Sequence, residues 1–122
     1  MLDREISVFY LEHSTDASGN ELTIKHYIHP IGQHIKCSFR QLSSEELLKN
    51  RQMSSEATVQ FTVNPRSITD DMYVEMTRDV YGTQTYQITA VDPYQDRGFS
   101  YYRIQGRLIT APQFDKVEGN EW

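Results

Sequence analysis

Alternation of apolar and polar side chains, repeated in one segment after another, limits what this chain can fold into more than any other feature. In residues 71–77 the apolar positions are Met72, Val74 and Met76, and in residues 84–91 they are Tyr86, Ile88 and Ala90. A period of two marks half-buried strands, because successive side chains point to opposite faces of a sheet. Residues 57–63 repeat the pattern with Ala57, Val59, Phe61 and Val63, and residues 102–108 repeat it with Tyr102, Ile104 and Leu108. Gly82 supplies the positive φ that a hairpin between the two central strands often needs. Four strands with short connections predict an antiparallel meander over residues 56–108.

Upstream, residues 5–11 are rich in β-formers and carry apolar side chains on both faces, which predicts a strand buried on both sides or paired at a subunit contact. Residues 12–21 form an exposed turn cluster around Asp16, Ser18, Gly19 and Asn20. Residues 22–28 and 34–40 alternate again, separated by a break at Pro30 and Gly32. The single helical signal follows. Ser43 and Glu46 form a capping box, and Leu42 and Leu47 stand at the N′ and N4 positions of a hydrophobic staple, predicting a short helix over residues 44–50. Residues 64–70 and 92–98 read as loops around Pro65 and Pro93. After Ile109 no strand or helix pattern remains, so residues 110–122 are expected to be a flexible acidic tail in which Phe114, Val117 and Trp122 could meet a partner. The expected fold class is mainly β: a small antiparallel β-barrel of about six or seven strands with one short helix.

With 122 residues the chain has room for one core. No apolar run is long enough to span a membrane as a helix, and the charged start Met1-Leu2-Asp3-Arg4-Glu5 does not read as a secretory signal. A net charge of −5 without a Lys/Arg cluster argues against a tight grip on nucleic acid. His26, His29, His34 and Cys37 resemble a zinc set on paper, but alternation puts Cys37 on the apolar face and His34 on the polar one. No nucleophile elbow, phosphate-binding glycine loop or metalloprotease motif occurs, so a non-enzyme without cofactor or metal is expected. Tyrosine is abundant from residue 73 onward. Tyr73 and Tyr101 fall on the polar phase of their strands and are candidate subunit contacts, while exposed aromatics on a barrel keep open an alternative, a single-stranded nucleic-acid-binding barrel of the oligonucleotide-binding type.

Several stretches taken together resemble the head–tail joining (head-closure, neck or stopper) proteins of tailed bacteriophages: Glu56-Ala57-Thr58-Val59-Gln60-Phe61-Thr62-Val63, Ile68-Thr69-Asp70-Asp71-Met72, Tyr86-Gln87-Ile88-Thr89-Ala90-Val91-Asp92 and Tyr102-Arg103-Ile104-Gln105-Gly106. Gly19-Asn20 before a strand and Leu42-Ser43-Ser44-Glu45-Glu46 before a short helix are also similar, and the likeness covers residues 1–109. The resemblance implies a virion structural protein at the head–tail interface, made in the host cytoplasm. It further implies a homo-oligomeric ring of twelve copies, monomeric in isolation, between a portal adaptor and a tail-completion or terminator protein. Such a ring retains packaged double-stranded DNA and offers the tail its attachment surface. By the same resemblance residues 41–55 are the channel gate, with Lys49, Asn50, Arg51, Gln52 and Met53 closing the channel sterically.

Overall fold

The computed structural model describes residues 4–29, 34–52, 57–78 and 82–118. Eight strands and one helix follow in the order β1 (Arg4–Thr15), β2 (Glu21–Tyr27), β3 (Ile35–Gln41), α1 (Ser44–Gln52), β4 (Val59–Val63), β5 (Tyr73–Arg78), β6 (Gly82–Asp96), β7 (Phe99–Ile109) and β8 (Lys116–Glu118). The strands pair in the order β3-β4-β7-β6-β5-β1-β2-β8, and β1 also pairs with β3. Six strands therefore close into an antiparallel ring, outside which β2 and β8 continue the sheet. The expected mainly-β fold with one short helix is what forms.

Inward phases of the ring strands make the core. Ile6 and Val8 of β1 meet Ile35 and Cys37 of β3, Val59, Phe61 and Val63 of β4, Val74 and Met76 of β5, Tyr86 and Ile88 of β6, and Ile104 of β7. Phe61 and Tyr86 meet edge to face at 5.4 Å, a favoured arrangement for two ring quadrupoles. Where β6 and β7 cross the core, Gly106 lies so close to Tyr86 that a Cβ there would sit 3.3 Å from the Tyr86 Cβ. One residue later the ladder slips between Ile88 and Ala90, and the extra residue, Thr89, donates its hydroxyl to the Gln105 carbonyl at 3.2 Å.

Three expectations are corrected. Strands β4 to β7 are not a meander, because β4 pairs with β7 and not with β5; three hairpin-connected strands with the first of the four beside the last are a Greek key. Residues 92–96 are not loop but the end of β6, and the reversal needs only Arg97 and Gly98, both at positive φ (51° and 84°), as in a tight primed turn. Pro93 is tolerated because β5 pairs with β6 only as far as Gln87, leaving one edge of β6 without a strand neighbour among the described residues. The C-terminal segment, expected to carry no strand, supplies β8, which pairs in parallel with β2 from Ile24↔Lys116 to His26↔Glu118.

Helix α1 begins as its sequence predicts. The Ser43 amide donates to Glu46 Oε1 at 3.1 Å and the Glu46 amide donates to Ser43 Oγ at 3.3 Å, a reciprocal capping box. The helix runs two residues past the expected Asn50. Arg40 of β3 grips the same carboxylate with two bonds of 2.7 and 2.8 Å, so the cap is also the latch between helix and sheet. The Arg40 guanidinium, then the Ser43 amide, lower the Glu46 pKa from 4.5 to about 2.

Phe61→Ala should cost about 3–5 kcal/mol in denaturant unfolding, the usual loss for an aromatic removed from a closed core; a shift well under that would mean the ring is loosely packed around Phe61. Because the Glu46 pKa is lowered in the folded chain, its contribution is complete above pH 4.5 and is lost as pH falls toward about 2. Amide exchange in α1 should therefore quicken across that window ahead of exchange in the ring strands. Glu46→Gln should already show the faster α1 exchange at neutral pH and no titration between 4.5 and 2. A wild-type helix equally protected at both ends of the window would contradict the latch.

Candidate functional site

Register fixes which parts of the chain share the end of the ring that carries α1. β3 ends at Gln41, β4 begins at Val59, and these two residues are partners; β7 ends just past Leu108, opposite Tyr86 near the start of β6. A cleft at that end is lined by Leu42, Leu47, Val59, Gln84, Tyr86 and Leu108 among others, and α1 reaches it through Leu47, with Leu42 of the preceding connection beside it. Its other face is open. Leu48 is 58% exposed and Lys49 is exposed beside it. Asn50, Arg51 and Gln52 belong to the last turn of α1, and Met53 lies outside the described residues. The segment read as a gate is thus a capped helix over most of its length, joined to β3 through Leu42, whose amide donates to the Thr58 carbonyl at 3.0 Å.

A second feature was not foreseen. Beyond Gln87 β6 has lost β5, and beyond Tyr102 β7 has lost β4, so the β6–β7 hairpin continues as a two-stranded arm. Between this arm and the outer faces of β3 and β4 runs a groove of about 430 Å³, lined by Arg40, Gln60, Tyr94, Asp96, Tyr101 and Arg103 among others. Tyr94 and Tyr101 are cross-strand partners with ring centroids 5.6 Å apart, and the Arg103 guanidinium lies 3.7 Å over the Tyr94 ring. Arg40 is held by Glu46, which raises its pKa, and also donates to Gln60 at 3.3 Å. At the tip Phe99 is 66% exposed. The sequence signal for the arm is Asp96-Arg97-Gly98 between two alternating runs, which the nearby Pro93 obscures.

The two tyrosines named as subunit contacts do not lie together. Tyr101 is on the arm, whereas Tyr73 is half-buried on β5 and stacks on Phe9 at 5.3 Å. Phe9 and Ser7 explain the two-faced strand: both point out of the ring and both are buried, Phe9 under Tyr27, Tyr73 and Lys25. Nor does the structure bring the four zinc-like residues together. His26 bonds Glu12 at 2.9 Å and stacks on Tyr10, His29 and His34 are ring neighbours at 5.9 Å, and Cys37 lies in the core. His34 Nδ1 is 3.0 Å from the fully buried Ser7 Oγ, a structural bond with no access for a substrate.

No curated protein matches the chain at a significant level. Among solved structures, the solution structure of protein SF1141 from Shigella flexneri 2a superposes with a TM-score of 0.65 at 18% identity, over 88% of this chain and 92% of that one. At that identity the likeness speaks for the fold alone. The sequence profile described as phage head completion protein matches residues 3–107, which takes in β1 to β6, α1 and all but the last residues of β7. With so much of the chain matched, this protein belongs to the phage head completion protein family.

Proposed function

We propose that the chain forms the neck ring beneath the portal, meeting the portal adaptor on one side and the tail-completion or terminator protein on the other, and that α1 is its DNA gate. Membership of the family gives it a virion structural role in head completion. The ring of twelve copies, DNA retention and tail attachment are the further reading. One observation carries it: α1 stands at one end of a rigid six-stranded ring, with Leu48 and Lys49 turned outward and a latch made of exposed groups. A helix held by a surface ion pair and Leu47 can swing at little cost, whereas a ring strand cannot move without opening the core. In this reading Lys49, Asn50, Arg51, Gln52 and Met53 close the channel by bulk. A net charge of −5 keeps the surrounding surface from gripping the DNA that must pass. Tyr101 and the arm that bears it are the subunit contact of choice, since Phe99 at the tip is exposed; Tyr73, on β5 and stacked on the buried Phe9, would be a separate contact.

Replacing residues 44–52 with a short Gly-Ser connector should leave the ring strands folded and the ring able to join a portal–adaptor assembly, yet packaged DNA in tailless particles should become nuclease-sensitive. Retention equal to wild type would remove α1 from the gate. Light scattering across a concentration range, alone and with the portal–adaptor assembly, should find a monomer that joins only the assembly. A chain that ignores the assembly but shifts with single-stranded DNA would replace the neck reading with the nucleic-acid-binding one.

A further inference from the structure

The C-terminal segment closes on β2 as a clasp. After Ile109 the chain crosses the outer side of the ring. Ile109 is opposite Thr85, Thr85 is in the β6 ladder opposite Glu75, and Glu75 is opposite Ser7 of β1. Five residues later Phe114 lies over the Lys25 ammonium at 4.7 Å. Asp115 then bonds Thr23 twice, its amide donating to the Thr23 carbonyl at 2.8 Å and its carboxylate accepting from the Thr23 amide at 2.9 Å. Strand β8 follows, and among the described residues β2 is its only strand partner.

Two physical features single out this contact. First, it is specific: an aromatic face over a cation, a carboxylate on a backbone N–H and a parallel ladder select a segment of the chemistry Phe-Asp-Lys-Val. Lys25 is itself fixed, paired with Glu75, which also accepts from the Tyr27 hydroxyl at 3.1 Å. Second, the connector is short. From β7 across β6 and β5 to β1 and β2 is three to four strand spacings, about 14–19 Å, and five extended residues reach about 17 Å. A short connector ending in a specific clasp favours exchange between copies, because every clasp contact re-forms on the neighbour and only the closure is given up.

We propose that in the assembled ring residues 110–118 of each copy form β8 on β2 of the next copy, linking subunits head to tail. This rests on the ring reading given under Proposed function. The register pair Ile24↔Lys116 supplies the test. Full-length Ile24→Cys and Lys116→Cys chains, each with one new thiol, are mixed, assembled with the portal–adaptor complex and bridged with a short bismaleimide. A covalent heterodimer is expected, since neither chain can bridge within itself at these positions. The double variant bridged at high dilution should give an internally linked monomer, which establishes that the thiols are placed correctly in folded protein. Internal links alone in the assembled double variant, with no heterodimer from the mixed singles, would overturn the exchange while leaving the ring in place. Failure to assemble at all, read by light scattering on the same samples, would overturn the ring reading and the exchange with it.

Discussion

Three register pairs between β1 and β3, Arg4↔Cys37, Glu5↔Lys36 and Ile6↔Ile35, close the ring, and most of the remaining structure depends on them. β1 shares its length among three neighbours: β3 over residues 4–6, β5 over residues 7–9 and β2 from Phe9 onward. Because it leaves the ring as it pairs with β2, the ring acquires a definite inside, filled by Ile6 and Val8, and an outside on which Ser7 and Phe9 need a cover of their own. Closure also removes the free edges that an open sheet of this size would expose to other chains. Among the described residues, edges without a strand partner include those of the β6–β7 arm beyond Gln87.

The outside cover is chemically unlike the core. Lys25 and Glu75 are both about nine-tenths buried, and their pairing alone would not offset the cost of taking two charges out of water. What compensates is the setting. The ammonium sits within 5 Å of the ring centroids of Phe9, Tyr27 and Phe114, and the carboxylate accepts from the Tyr27 hydroxyl. An apolar cover would bind any apolar segment. This one discriminates, which is the property a subunit clasp requires.

The sequence made most of the ring legible, for a physical reason. Alternation reports burial directly, so Val59, Phe61 and Val63, or Val74 and Met76, announce their face without knowledge of partners. The helix was equally legible, because Ser43 and Glu46 satisfy each other locally. What alternation cannot report is which strand lies beside which, and so the β4–β7 pairing and the Greek key were hidden. The β6–β7 arm was missed because Pro93 looks like a breaker until it is known that one edge of β6 is open there. β8 was missed because three residues carry too little pattern, and its stability comes from Phe114 and Asp115 finding β2 across the fold. The gate assignment of Lys49 to Met53 comes from family resemblance; Lys49 is exposed on α1, and Met53 lies outside the described residues.

A closed six-stranded ring carries a latched helix at one end, an arm on one flank and the C-terminal strand on β2. In the function proposed above, the ring keeps its shape while α1 swings, and arm and clasp join copies without disturbing the core. The orientation of the subunit in the neck tests this reading most directly, by cryo-electron microscopy of DNA-filled heads before tail attachment. If α1 is the gate, its density projects into the channel against the end of the DNA, with the β6–β7 arm at the contact between neighbouring subunits. Density with α1 on the outer wall and the arm tip in the channel would contradict it.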